Sequence, residues 1–150
     1  STTPDDARTQ KIHFSSSTLG HVIVSMFANP YDCSNKQLLK FISGDVNQTV
    51  YIPRTDYLTF EAMVNYNKNH EHRYARVIHS IPVNDADIRV HITENDNIIY
   101  VYIEHYDLDK GWVKTEGSFE RNGLAGMWMS RAWCTPDDRI SSPNIEGNSQ

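Results

Sequence analysis

The chain has 150 residues, 39% of them hydrophobic and 22% charged, with 14 basic against 19 acidic side chains and a net charge of −5. That is the composition of one ordinary globular domain, with no room for a second. The longest uninterrupted apolar run, Ile98 to Ile103, is too short for a membrane-spanning helix, although a lipid anchor on a longer precursor stays compatible with it. No basic stripe is present, which argues against nucleic acid as a partner.

Ile and Val together number 23 against 13 for Leu and Ala, and there are eight Tyr, a bias toward pleated surfaces over helices. Residues 1–8 read as a flexible N-terminal segment. Ser1-Thr2-Thr3-Pro4-Asp5-Asp6 has neither a basic n-region nor an apolar h-region, and reads as a mature end or an arbitrary boundary. Lys11 to Ser15 alternates, and His21 to Phe27 follows with Val22, Val24 and Met26 on one face. Asn29-Pro30-Tyr31-Asp32 is a turn. In 35–42, Leu38, Leu39, Phe41 and Ile42 fall at helical spacing, which predicts one short helix.

Strands are expected over Thr49–Ile52, Tyr57–Val64 and Tyr74–Ile81, with the polar stretch Asn65–His72 as a loop. The sharpest local signal is a hairpin. Asp87–Thr93 alternates, Glu94-Asn95-Asp96-Asn97 turns, and Ile98–Tyr106 returns with Ile99, Val101 and Ile103 opposite Tyr100, Tyr102 and Glu104. A second hairpin is expected from Gly111–Glu120 and Leu124–Cys134 around Arg121-Asn122-Gly123. Short strands at such spacing predict an all-β, antiparallel β-sandwich (Ig-like or related) over 9–135, with a small closed β-barrel as the alternative. The Ser, Pro, Asn and Gly-rich segment 136–150 is expected to be a disordered tail.

Cys33 and Cys134 lie near opposite ends of that core. An even pair so placed predicts a disulfide stapling the termini, and with it an oxidising compartment, periplasmic or secreted. Two unrelated buried thiols are the other reading. The one Asn-x-Thr sequon, Asn47-Gln48-Thr49, matters only in a eukaryotic secretory route.

The spacing of Val22-Ile23-Val24, Asn29-Pro30-Tyr31-Asp32-Cys33-Ser34, Tyr51-Ile52-Pro53 and Leu58-Thr59-Phe60 resembles small bacterial periplasmic or lipoprotein β-sandwich domains. The resemblance covers roughly residues 20–106. It implies a compartment and a fold, and carries over neither an activity nor site residues. The later core strands depart from the pattern in lacking cysteines.

Few residues carry a chemical signature. His70 and His72 share a face in an extended chain and would make two ligands for zinc, copper or nickel, against the plainer reading of a solvated loop. Asp107-Leu108-Asp109-Lys110-Gly111 fails the calcium-loop pattern, because glycine stands fifth and not sixth. No Gly-x-Ser-x-Gly elbow occurs. Met127 to Cys134 places large apolar groups on both faces, as a fully buried strand or a partner-facing edge would. Trp128, Arg131 and Trp133 are therefore candidate partner-binding residues, with Trp112 beside them as a possible sugar-stacking platform.

These features together predict an exported, non-catalytic binding module with no cofactor. Its partner is expected to be another protein, and its acidity suits a basic secreted enzyme that it would inhibit or confer immunity against. The alternatives are a metal-assisted hydrolase using His70 and His72, a structural subunit of a surface assembly, and a carbohydrate-binding module.

Overall fold

The computed structural model describes residues 9–18, 20–43, 47–124 and 133–141. They form β1 (Thr9–Ser16), β2 (His21–Asn29), β3 (Ser34–Ser43), β4 (Gln48–Pro53), β5 (Tyr57–Lys68) and β6 (Glu71–Pro82). Further along come β7 (Ile88–Asn95), β8 (Ile98–Asp107), β9 (Gly111–Lys114), β10 (Phe119–Arg121), β11 (Gly123–Leu124) and β12 (Trp133–Cys134). Two five-stranded sheets, ordered β4-β1-β7-β8-β9 and β10-β6-β5-β2-β3, pack face to face, and β11 pairs with β12 alone. The fold is the expected β-sandwich and not a closed barrel. Its pairings are antiparallel except for β1 with β7.

Period-two alternation builds the core. Ile12 and Phe14 of β1, Ile88, Val90 and Ile92 of β7 and Ile103 of β8 turn inward from one sheet. Val22 and Val24 of β2 and Leu58, Phe60, Ala62 and Val64 of β5 meet them from the other. Phe14 and Phe60 meet edge to face with centroids 5.7 Å apart, a geometry worth about 0.5–1.5 kcal/mol beyond the area it buries.

Three expectations are corrected. The predicted helix over 35–42 is strand β3, hairpinned to β2 with a register shift at Val24/Ser25. Among the described residues there is no helix, and none long and apolar enough to cross a membrane. Helical spacing there is outvoted by pairing with the neighbouring strand. The polar stretch 65–72 is mostly strand as well: β5 and β6 run through it and reverse at Asn69-His70, both left-handed (φ 54° and 64°), as a two-residue hairpin turn requires. The expected second hairpin is divided between sheets. β9 pairs with β8, the chain crosses over at Gly117 (φ 84°), and β10 pairs with β6. Leu124 and Cys134 of that hairpin do lie in paired strands, as Gly123↔Cys134 and Leu124↔Trp133. By contrast, Asp96 and Asn97 make the β7–β8 turn as expected, with φ of 51° and 68°.

A second, smaller core lies on the outside of the β10-β6-β5-β2-β3 sheet. Phe27 and Ile78 are covered there by the Cys33–Cys134 disulfide. Arg121 is 4% exposed and is held entirely by oxygens. Its Nη1 donates to the Pro30 carbonyl (2.8 Å) and Ser80 Oγ (3.1 Å), its Nη2 to the carbonyls of Tyr31 (2.6 Å) and Thr135 (2.9 Å). Gly123 is required beside it, since a Cβ would collide with the backbone of Trp133 and Cys134. Beyond Cys134, Ile140 is buried, and Arg139 lies over the Phe119 ring while pairing with Asp137. Residues 142–150 of the expected tail lie outside the described residues.

On the same outer face Glu61, 1% exposed, holds Lys36 Nζ at 2.7 Å and Arg76 Nε at 3.3 Å. Removing a carboxylate so placed would take a buried counter-charge away from Lys36 and the partly exposed Arg76.

Two measurements test this picture. The disulfide closes a separation of 101 residues, so the Cys33→Ser/Cys134→Ser variant should lose about 2–5 kcal/mol in urea unfolding at pH 7. Inside the sandwich, His79 stands opposite Phe60 with its Nδ1 unpartnered, and burial pushes its imidazole down to about 4 from 6.5. Its unfolded form therefore binds the proton more readily between those values. Its contribution to stability is full above pH 6.5 and lost as pH falls to about 4, by up to roughly 3 kcal/mol. Urea midpoints measured from pH 7 to 4 should fall less steeply for His79→Gln than for the wild type. Parallel curves would contradict the assignment.

Candidate ligand-binding groove

Alternation that turns the apolar residues of β1, β7 and β8 inward must turn the residues between them outward. Cross-strand register then lines them up in rows. One row runs Thr49, His13, Arg89, Glu104, Lys114 across all five strands, and the next contains Ser15, His91 and Tyr102. The middle of the two rows (His13, Arg89 and Glu104; Ser15, His91 and Tyr102), with Asn47 at one end and Trp112 at the other, lines a concavity of about 500 Å³. Spanning β1, β7, β8 and β9 gives it a length of about 14 Å at the usual strand spacing. Two other concavities, one beside Pro30 and Tyr57 and one between His72 and Arg76, are each about 230 Å³.

The lining side chains fix one another. His13 Nδ1 is 2.8 Å from Thr49 Oγ1. Both nitrogens of His91 face hydroxyls, Nδ1 at 2.7 Å from Ser15 Oγ and Nε2 at 3.1 Å from Ser17 Oγ. Arg89 Nε donates to Glu104 Oε1 at 2.6 Å, and its guanidinium lies 4.4 Å from the centre of the Trp112 ring. Trp112 in turn meets Tyr106 and His13 edge-on, at 5.5 and 6.2 Å. Burial first, and the Lys11 ammonium second, hold the His13 imidazole below its ordinary value. It is therefore neutral at pH 7.

This arrangement is suited to binding. Where a serine–histidine–aspartate triad would place its carboxylate, on the far ring nitrogen, His91 meets the Ser17 hydroxyl. Glu104, the carboxylate in the groove, is engaged by Arg89. Among the described residues no three His, Cys, Asp or Glu side chains come together as a metal site.

Of the residues singled out from sequence, Trp112 lies in the groove. Trp133 is 52% exposed but sits on β12, beside the disulfide and on the other sheet's side of the molecule. Trp128 and Arg131 lie outside the described residues. His70 occupies the left-handed tip of the β5–β6 turn, and His72, exposed, is 3.4 Å from Asn67 Oδ1. Asp107 Oδ1 accepts the backbone N–H of Asp109 and of Lys110, at 2.8 and 2.9 Å, serving the β8–β9 turn.

Sequence reasoning missed His13, Ser15, Arg89 and Tyr102, and did not bring His91 and Glu104 together with them. A signal for them existed on β8, where Tyr100, Tyr102 and Tyr106 share the outward face with Glu104; these three rings are 43–52% exposed. Solvated strand faces do not need so many rings. The missing step was the parallel pairing of β1 with β7, which brings His13 and Ser15 beside Arg89 and His91. Comparison with known proteins adds no family: no family model, curated protein or solved structure matches the chain significantly.

Proposed function

We propose that the protein is an exported, non-catalytic binding module that holds its ligand against the outer face of the β4-β1-β7-β8-β9 sheet. The observation that carries this is the groove itself. Its polar and aromatic side chains stand on four adjacent strands, β1, β7, β8 and β9, with Asn47 just ahead of β4, and His13, Ser15, Arg89, His91, Glu104 and Trp112 are held by mutual contacts before any ligand arrives. Preorganisation of that kind reduces the ordering cost of binding. Export is supported by the Cys33–Cys134 disulfide, a bond that persists in oxidising compartments.

A second reading is favoured by charge. The net charge of −5 and the exposed Tyr100, Tyr102 and Tyr106 suit docking of a basic secreted protein on the same face, as an inhibitor or immunity protein would dock. Raised salt would then weaken the association by slowing encounter.

Immobilised protein should retain material from the envelope or medium of its source cells. The Tyr102→Ala/Trp112→Ala variant should retain about tenfold less or lower still, while its melting temperature stays within a few degrees of the wild type. Equal retention by the two proteins would contradict the reading.

A further inference from the structure

The lining of the groove says what chemistry its ligand must have. Apart from its histidines, the acidic and basic side chains of its lining are Arg89 and Glu104, paired with each other at 2.6 Å, while Lys114 follows Glu104 in the row outside the lining. At the rim, Lys11 and Asp87 pair at 3.9 Å. An anionic ligand reaching Arg89 would meet the Glu104 carboxylate, and a cationic one reaching Glu104 would meet the guanidinium. Neither sign of charge gains from this site. Protonation of His13 would add a cation next to Arg89, its direct cross-strand partner, but its imidazole is neutral at pH 7.

What remains is a surface that donates and accepts at neighbouring points. Arg89 donates, Glu104 accepts, and the Asn47 amide and the Ser15 hydroxyl can do both, while both ring nitrogens of His91 are taken up by Ser15 and Ser17. A hydroxyl group also does both, so adjacent hydroxyls can bridge the Arg89–Glu104 pair without disturbing its charge balance. Alongside stands Tyr102, 49% exposed, its ring in no aromatic contact among the described residues. An open aromatic face carries negative quadrupole density and attracts the weakly positive C–H groups of a saturated ring. Tyr100 and Tyr106 continue that aromatic row along β8.

An extended peptide is the poorer fit. A peptide that binds as an added strand gains its affinity from backbone pairing at a sheet edge, and the groove crosses the face of the sheet, where the backbone groups are already paired.

Resting on the binding-module reading above, we propose that the groove takes a neutral polyhydroxylated chain, an oligosaccharide, with Tyr102 as the stacking platform and Arg89 and Glu104 as the hydroxyl-reading pair.

The test uses the intact, disulfide-bonded protein, calorimetry and amide chemical-shift mapping. The probes are neutral hexasaccharides (of glucose, xylose, mannose and N-acetylglucosamine) against sulfated heparin and polygalacturonate hexasaccharides. The expected result is saturable binding of at least one neutral probe, shifting the amides of Ser15, Arg89, His91 and Tyr102. Tyr102→Ala and Glu104→Gln should each weaken it about tenfold or more without changing the melting temperature appreciably. Binding of charged probes alone, binding indifferent to Tyr102→Ala, or no neutral probe bound would overturn the proposal. If retained material from the earlier experiment shifts those amides and no neutral sugar does, the ligand class is wrong and the binding face stands. If neither shifts them, both readings fall.

Discussion

The clamp around Arg121 decides which surfaces of this sandwich are covered. Its guanidinium gathers carbonyls from the Asn29–Ser34 turn and from Thr135, together with the Ser80 hydroxyl of β6. The Cys33–Cys134 disulfide fastens the same two segments covalently. A buried arginine that forms no ion pair among the described residues is tolerable because four hydrogen bonds replace its water. The result is a polypeptide cap over Phe27 and Ile78, and one end of that outer sheet face becomes a second core.

The opposite sheet has no such cover among the described residues. Its outer face is occupied by its own side chains, organised in rows by strand register. Rigidity there comes from the backbone, since every strand of the sheet except the edges β4 and β9 is paired on both sides. A site built on strands holds its geometry better than one built on loops. In the charge pair Arg89–Glu104 the guanidinium side is half-exposed and the glutamate largely buried. The pair sets a donor and an acceptor side by side.

Much of the fold is legible in the sequence because β-alternation and Asn/Asp turns are local signals. The Asp96-Asn97 turn and the flanking strands illustrate this, and so does the pairing of the two cysteines. The helix expected at 35–42 failed because residue spacing says nothing of the neighbouring strand that captures the segment. Gly117 looked like any glycine in a strand, yet its left-handed backbone marks where the chain changes sheets. The groove was least visible. His13 and Arg89 are 76 residues apart in sequence and adjacent only through a parallel pairing, which no local pattern announces.

The most direct measurement is photochemical. A benzophenone side chain, Tyr102→p-benzoylphenylalanine, would sit in the groove, while Tyr74→p-benzoylphenylalanine would sit on the outer face of the other sheet. Irradiated with the material that the wild type retains, the first variant should cross-link to it and the second should not. Cross-linking from position 74 with none from position 102 would contradict the placement of the binding face.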